Sequence, residues 1–353
     1  MAVGMPLNRR RLLALGLSGL GAAGWQAWTA SRAGSQAPLP SRLPSRLPLR
    51  GDQRLVLISD LNSSYGSTTY IPEVQKGIAM IPGLKPDLVL CAGDMVAGQK
   101  AGLSAAQLAA MWAGFDRQVL QPLRSAGVPF APAMGNHDAS SLRQGGRYLF
   151  EADRHQAARF WRSRQAQLGL QFEDASGFPF FYSFRHQDLF VLVWDASSAT
   201  VPAEQLRWAE RSLASAAARS ARRRLVLGHL PLQAVAQGRD TSGDVLAAAS
   251  ELRLLLERHG VQAYVSGHQH AYFPSRLGRL DLVQLGALGS GPRRLLGRSE
   301  APFQTLTLLD LPSADGPSRE TTINLRSVQL LDRSSLPSRL LDGAGRQLIR
   351  RDS

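Results

Sequence analysis

Residues 129–138 read PFAPAMGNHD, an apolar run of strand length that is closed by Gly135-Asn136-His137-Asp138. A short apolar run bounded by a turn residue is typical of a strand in a protein core. The glycine permits a tight turn and a close approach of the backbone. This stretch therefore predicts a strand that presents polar side chains at the point where it ends.

Four other stretches repeat this arrangement of an apolar run followed by polar residues. The runs cover residues 54–59, 87–92, 224–227 and 263–266. They are followed by Asp60-Leu61-Asn62, Gly93-Asp94, Gly228-His229 and Gly267-His268-Gln269-His270, respectively. Polar clusters at several strand ends are expected when a site lies outside the carboxyl edge of an α/β sheet.

The side chains of these five signatures favour a metal site. Together they supply carboxylates, carboxamides and imidazoles, and four of the seven histidines of the chain fall within them. Oxygen and imidazole ligands suit Mn, Fe or Zn. The set is large enough to hold two such ions side by side, an arrangement that polarises a phosphoryl oxygen and activates water.

The order and chemistry of the signatures resemble those of the calcineurin-like metallophosphoesterases, the superfamily that includes purple acid phosphatases and cyclic-nucleotide phosphodiesterases. The resemblance implies a four-layer α/β/β/α sandwich of two mixed sheets flanked by helices. It also implies that His137 protonates the leaving group or stabilises the charge of the transition state, while a metal-bound hydroxide attacks phosphorus. The implied ligands are Asp60, Asn62 and His270 for the first ion, Asp94 as a bridge, and Asn136, His229 and His268 for the second.

The first signature departs from the usual family pattern, Asp-x-His, because its third residue is Asn62. An amide oxygen either binds the metal more weakly than an imidazole does or holds a water molecule instead. We therefore expect the first site to be loosely filled or to prefer a different metal. Tyr65 is either a support for the metal site or ordinary packing. We expect Asp138 to orient His137 or a turn, and Asp195 to be a supporting residue or a cap.

The remaining elements follow from periodicity and turn signals. We predict a hairpin from Phe180–Phe184 and Leu189–Trp194, and strands of a second sheet near 282–285, 303–309 and 321–325. Helices are predicted over 104–125, 154–168 and 203–217. Residues 139–177 form either a cap over the pocket or a surface excursion, and residues 333–353 are expected to be a mobile polar tail.

The N-terminal region predicts export. Arg9-Arg10-Arg11 precedes an apolar stretch and small residues near position 33, as in a signal peptide. The adjacent arginines resemble a twin-arginine signal; the alternatives are an ordinary secretory signal or an uncleaved anchor. We therefore predict a signal peptide over residues 1–33, a Pro/Ser/Arg-rich linker over 34–50, a phosphoesterase domain over 51–332 and a periplasmic or secreted location.

The charge of the chain says little about partners. The net charge is +14, but residues 1–50 carry seven arginines and no acid, which is half of the excess. No basic stripe interleaved with aromatics is present, so nucleic acid is not an expected partner. The expected partners are the twin-arginine export machinery and a small phosphorylated substrate, with membrane contact only through an uncleaved leader.

The leading hypothesis is a metal-dependent phosphoric ester hydrolase with two ions. A phosphatase is slightly favoured over a phosphodiesterase because of the predicted export, although the metal core is common to both. The alternative is a non-catalytic metal-binding or interaction scaffold with a degenerate first site. The presence of His137 argues against it, since a scaffold needs no acid for a leaving group.

Overall fold

The computed structural model describes residues 42–312 and 316–351, and its strands follow the apolar runs of the sequence. The predicted signal peptide lies outside these residues. In chain order the strands are β1 (Gln53–Ile58), β2 (Leu88–Cys91), β3 (Phe130–Pro132), β4 (Arg143–Gln144), β5 (Arg147–Tyr148), β6 (Gln171–Gly177), β7 (Phe181–His186), β8 (Leu189–Val193), β9 (Arg223–Leu227), β10 (Ala263–Ser266), β11 (Phe273–Leu277), β12 (Leu280–Gln284), β13 (Thr305–Leu311), β14 (Arg319–Asn324), β15 (Gln329–Leu330), β16 (Arg339–Leu341) and β17 (Gln347–Arg350).

Helices connect many of these strands. They are α1 (Pro72–Leu84), α2 (Ala105–Phe115), α3 (Gln121–Ser125), α4 (Asn136–Ala139), α5 (Glu151–Arg162), α6 (Ala203–Leu213), α7 (Ala216–Ser220) and α8 (Ala249–Arg258). A π-helical turn (Asp116–Leu120) joins α2 to α3. Single 3₁₀ turns occupy Gln165–Gln167 and Arg333–Ser335. No helix within the described ranges has both the length and the apolar character required to cross a membrane.

The strands form two large mixed sheets. The first has the order β15-β14-β13-β1-β2-β3, with β1, β2 and β3 parallel and β13 antiparallel to β1. The second has the order β16-β17-β11-β12-β10-β9-β8-β7-β6, with β8, β9, β10 and β12 parallel. With helices flanking both sheets, the predicted α/β/β/α sandwich is confirmed.

The main core lies between the sheets. One buried cluster joins side chains of the first sheet, such as Leu57, to Val191 and Val265 of the second. A separate buried cluster, which includes Trp194 and Leu256, joins the second sheet to its helices. Each fully buried aliphatic or aromatic side chain of this kind contributes roughly 1.5–3 kcal/mol of transfer free energy, so these clusters fix the sheets that position the site.

The predicted helices are present with shifted bounds. The helix predicted over 104–125 begins after Ser104, whose hydroxyl accepts from the backbone of Gln107 in a capping box. It runs through the π-helical turn to Ser125. The helix predicted over 154–168 is α5 with a following 3₁₀ turn, and the one predicted over 203–217 ends at Leu213 before α7 begins. The predicted hairpin is β7–β8.

The segment 139–177 is neither a simple cap nor a surface excursion. Trp161 of α5 is fully buried and stacks on Phe130 of β3, with ring centroids 5.9 Å apart. Strand β6 extends the second sheet next to β7. The two-stranded ribbon β4–β5 belongs to neither large sheet. The aromatic residues of the segment explain the difference, because their burial draws α5 into the core.

The prediction of a mobile C-terminal tail is wrong for residues 333–351. Within 333–351, β16 and β17 pair with each other, and β17 pairs with β11 at the edge of the second sheet. Leu340 and Leu348 are buried, and the Arg351 guanidinium is ion-paired with Asp281 and Glu320. Burial and charge pairing order this segment despite its polar composition.

Two smaller predictions are also wrong. The strands near 303–309 and 321–325 are β13 and β14, and they belong to the first sheet rather than the second because β13 pairs with β1. The folded region also begins before Gly51. Leu43 and Leu47, in the predicted linker, are partly buried against the main core.

Candidate metal centre

The predicted ligands come from the carboxyl ends of neighbouring parallel strands. Asp60 and Asp94 follow β1 and β2, and Asn136 begins α4 shortly after β3. His229 follows β9, while His268 and His270 follow β10. Asn62 also follows β1, so the first sheet supplies the carboxylates and both amides, and the second sheet supplies the imidazoles. The two sets meet at one end of the sandwich.

Four of these side chains converge in what we call the Asn136 cluster, formed by Asp94, Asn136, His229 and His268. Asn136 Oδ1 lies 2.9 Å from His229 Nε2 and 3.0 Å from His268 Nδ1. The two imidazole nitrogens are 3.3 Å apart, and His229 Nε2 is 3.4 Å from Asp94 Oδ2. Ligands at about 2.0–2.2 Å from one tetrahedral metal lie roughly 3.3–3.6 Å apart. This donor set therefore fits a metal ion.

A second group, the Asp60 cluster, is formed by Asp60 and His270. His270 Nε2 lies 3.2 Å from Asp60 Oδ1. Donor atoms of Asp60, Asp94 and His229 all lie within 4.8 Å of one another, and the three residues are buried. Asp94 therefore connects the two clusters, which is the position predicted for a bridging carboxylate.

Asn62 has a fixed backbone next to Asp94. Its N–H donates to the Asp94 carbonyl at 3.1 Å, and its own carbonyl accepts from the hydroxyl of Ser290 at 2.9 Å. The side-chain amide is mostly buried and makes no hydrogen bond to any part of the chain that the structure describes. The amide is thus available as a ligand.

His137 lies beside the clusters with one ring nitrogen engaged. Nδ1 is 3.2 Å from the carbonyl of Gly98, and because a carbonyl only accepts, Nδ1 carries the proton. Nε2 is left on the side of Asp94, 3.9 Å from its Oδ2. The ring of Tyr65 lies 5.3 Å from the imidazole, centroid to centroid. Tyr65 therefore packs on His137 rather than on the ligands.

Burial and mutual charge set the protonation of the clusters. Burial alone would raise the pKa of Asp60, but the His270 imidazole holds that pKa below its usual range. Burial opposes the charged form of His229, but the Asp94 carboxylate raises its pKa to about 9. Burial lowers the pKa of His268 to about 4, which keeps it neutral. A histidine must be neutral to bind a metal, so His229 would release its proton when a metal binds.

Asp138 joins the loops that carry two of the ligands. Its carboxylate accepts from the backbone N–H groups of Met95 and Val96, at 2.8 and 2.9 Å, and of Gly135, at 2.9 Å. Burial and the charge of Asp94 raise its pKa to about 7, although these backbone donors oppose the rise. Asp138 therefore orients turns, one of the two roles expected from the sequence.

Gln99 was not predicted from the sequence, although it orients a ligand. Its Oε1 accepts from Asn136 Nδ2 at 2.6 Å, which turns Asn136 Oδ1 toward the imidazoles. Its own backbone N–H donates to Asp153 at 2.8 Å. Gln99 lies in an irregular loop, and no local sequence pattern indicates this contact.

Asp244 is a second support that sequence reasoning missed. Its Oδ1 lies 3.3 Å from His268 Nε2 and 3.0 Å from the Arg239 guanidinium. A metal at Nδ1 of His268 would leave the proton on Nε2, where Asp244 would accept it. Arg239 Nη1 also lies 3.2 Å from Nε2 and, being only a donor, would then bond to Asp244 instead. Carboxylates in this position fix the tautomer and the orientation of metal-binding histidines. A Gly-Asp pair does occur here, Gly243-Asp244, but it does not close an apolar run of strand length, so the sequence signature used for the other ligands does not select it.

The ligand-bearing turns are strained. Asp60, Asp94, His268 and His270 all have positive φ angles, between +54° and +67°. Such conformations cost on the order of 1–3 kcal/mol for non-glycine residues and cluster at functional sites. At Gly135 a Cβ would lie 2.1 Å from Asp94 Oδ1, so only glycine permits this approach of the two loops.

The other polar residues noted in the sequence have structural contacts instead. Asp195 forms a buried ion pair with Arg154 at 2.8 Å. Of the remaining histidines, His155 is an exposed residue of α5, His186 ends β7, and His259 caps α8.

The family model for calcineurin-like phosphoesterases matches residues 53–272, which contain every predicted ligand. The chain belongs to the calcineurin-like phosphoesterase family. It is therefore a metallophosphoesterase, and family membership together with the clustered donors supports divalent metal ions at this site. A search of curated proteins gave no match.

Solved structures share the fold at low identity. A purple acid phosphatase from yellow lupin seeds superimposes with a TM-score of 0.55 at 17% identity, covering 83% of this chain and 54% of its own. The chain thus spans about half the length of that enzyme. A dimetal phosphatase from Danio rerio gives a TM-score of 0.51 at 13% identity, covering 80% of this chain and 98% of its own. Plasmodium GAP50, described as the anchor in the inner membrane complex, gives 0.50 at 12%, covering 85% and 90%.

Proposed function

We propose that this metallophosphoesterase hydrolyses small phosphorylated substrates with two metal ions. Asp60, Asn62 and His270 would hold the first ion, Asp94 would bridge, and the second would be held by Asn136, His229 and His268. The observation that carries the proposal is the pair of donor clusters joined by Asp94. Their donor atoms lie 2.9–3.4 Å apart, at or a few tenths of an ångström below the spacing of ligands around a tetrahedral metal.

The ions would supply Lewis-acid polarisation of the phosphoryl group and an activated water, and they are Mn, Fe or Zn on the basis of their N and O ligands. His137 would protonate the leaving oxygen from Nε2, since its Nδ1 is engaged by Gly98. The Nε2 atom lies on the side of Asp94, 3.9 Å from its Oδ2. General acid catalysis of this kind contributes typically about 10²–10⁴-fold.

Export is also part of the proposal. Arg9-Arg10-Arg11 and the following apolar stretch support a twin-arginine signal and a periplasmic or secreted enzyme. A location outside the cytoplasm slightly favours a phosphatase over a phosphodiesterase. Fusion of residues 1–50 to a reporter that is active only after export in folded form tests this, with Arg9 and Arg10 changed to Lys as the control.

Hydrolysis of chromogenic esters tests the activity. The full chain is assayed with added Mn²⁺ on 4-nitrophenyl phosphate and bis(4-nitrophenyl) phosphate, and metal content is measured in parallel. Asp94→Asn should abolish turnover and reduce bound metal. Asp188→Asn, at the exposed turn between β7 and β8, is the matched control and should do neither.

The preferred ester decides between phosphatase and phosphodiesterase. The alternative function, a non-catalytic scaffold, is favoured by one observation, the Asn62 amide in place of an imidazole ligand. A chain that binds no metal and hydrolyses neither ester would support the scaffold. Asn62→His should tighten metal binding at the first site, and an unchanged affinity would show that residue 62 is not a ligand.

A further inference from the structure

A cavity of about 220 Å³ opens beside His270. Its walls are largely apolar, and Leu295, Pro302 and Phe303 are among the residues that form them. Of the cluster residues, His270 alone lines this cavity. The cavity therefore lies outside the metal clusters and next to them, where the organic part of a substrate would extend.

Arg293 stands where the cavity meets His270. Its backbone N–H donates to the His270 carbonyl at 2.9 Å, which fixes it beside that ligand. The Nε atom is buried and has no hydrogen-bond partner. Across residues 42–312 and 316–351, the Arg293 guanidinium makes no hydrogen bond or ion pair. A buried donor without a partner is unfavourable, and more so when it is charged.

A second arginine lies close to the first. Arg239 contacts the other side of the metal site, with Nη1 3.2 Å from His268 Nε2, and its own Nε is buried without a partner. Burial, followed by the nearby charge of Arg239, lowers the pKa of Arg293. Asp244 is the nearby acid, but its carboxylate is already bonded to Arg239, Thr241 and His268. The guanidinium groups of Arg239 and Arg293 thus lie near one carboxylate, that of Asp244, whose oxygens are already hydrogen-bonded.

We propose that Arg293, with Arg239 beside it, forms an anion subsite for a second anionic group of the substrate, a phosphate or carboxylate that is not hydrolysed. The inference rests on the proposed function, which places the scissile phosphate at the metal clusters. Arg293 faces the cavity side of His270, so its partner is a group attached to the organic part of the substrate. The substrate class is then an organic phosphate with an additional acid and a compact apolar or ring portion.

Binding of non-hydrolysable dianionic probes tests this subsite. Calorimetry on the metal-loaded full chain compares methylphosphonate with α,ω-alkane bisphosphonates and ω-carboxyalkyl phosphonates that have one to four methylene groups. The wild type should bind at least one two-headed probe about tenfold or more tightly than methylphosphonate, as expected for one added charge-assisted contact. The better of the two series identifies the second group as phosphate or carboxylate.

Arg293→Gln should remove most of that tenfold preference, whereas Arg293→Lys, which keeps the charge, should retain part of it. Arg298→Gln is the matched control, because Arg298 lines the same cavity but is paired with Glu300. It should alter the preference less than twofold.

Three results would overturn the subsite: no preference in the wild type, an equal loss in Arg298→Gln, or equal weakening of methylphosphonate and two-headed probes by Arg293→Gln. Absence of ester hydrolysis with the Arg293-dependent preference intact would refute the proposed function while the subsite stands. Circular dichroism of each variant establishes that it is folded.

Discussion

Replacing Asp244 by Asn tests whether a residue outside the ligand set positions His268. The carboxylate accepts from His268 Nε2 at 3.3 Å and is held in place by Arg239 at 3.0 Å. The substitution keeps the size of the side chain and one acceptor oxygen. It removes the negative charge that makes Nδ1, on the opposite side of the His268 ring, a stronger ligand for the metal.

The size of the effect follows from this geometry. Loss of a carboxylate behind a metal-binding histidine typically costs about 10–100-fold in metal affinity. The contact here is long, and Arg239 shares the carboxylate, so we expect the lower end of that range. The second site should lose about tenfold in affinity, equivalent to about 1.4 kcal/mol.

Competition with a chromophoric chelator measures this change on purified full-length protein, for Zn²⁺ and Mn²⁺ separately. Asp240→Asn is the control, because Asp240 lies in the same loop and carries the same charge but accepts from the backbone of Gly343 instead of a histidine. An affinity within twofold of wild type for Asp244→Asn, or an equal loss in Asp240→Asn, would refute the positioning role.

Further predictions concern catalysis and stability. His137→Ala should lower kcat by about 10²–10⁴-fold with metal content unchanged, measured by steady-state kinetics and elemental analysis; simultaneous loss of metal would contradict the acid role. Arg154→Ala leaves the buried carboxylate of Asp195 without its ion-pair partner, so the free energy of unfolding should fall by about 3–5 kcal/mol. Urea titrations measure the change, and a fall of less than about 1 kcal/mol would contradict the contribution of the ion pair. Burial lowers the pKa of His186, so the unfolded chain takes up more protons than the folded one as pH falls below about 6.5, and stability declines there. His186→Gln should reduce the drop in Tm between pH 7.5 and 5.5, whereas His155→Gln, at an exposed position of α5, should not; equal drops in wild type and His186→Gln would exclude this contribution.

The sequence was sufficient to predict the strand ends because their signals are local. An apolar run, a glycine and a polar residue occur together at Gly93-Asp94 and Gly228-His229, and the parallel pairing of their strands aligns those ends. The supports at Gln99 and Asp244 also follow a glycine, but neither closes an apolar run of strand length. Each lies in an irregular loop and meets its partner through a long-range contact, so only the folded chain shows which histidine or amide it orients.

The prediction that β13 and β14 belong to the second sheet is wrong because strand pairing, too, depends on contacts between distant parts of the chain. A strand pattern shows that β13 is buried, but antiparallel pairing with β1 is decided by the packing of the whole first sheet. The C-terminal residues were read as mobile because polar composition dominates them. Their order depends on a few buried positions, such as Leu340 and Leu348, and on the ion pairs of Arg351.

The division of the donors between the two sheets has a mechanical consequence. Under the proposed ligand set, the first ion would join Asp60 to His270 and the second would join Asn136 to His229, so each ion would be a crosslink across the seam of the sandwich. Loading with metal would then stiffen the molecule at that end, and sliding of one sheet against the other by a fraction of a bond length would change the coordination. Substitutions in the core between the sheets, far from any ligand, would therefore change how tightly the protein retains its metal ions.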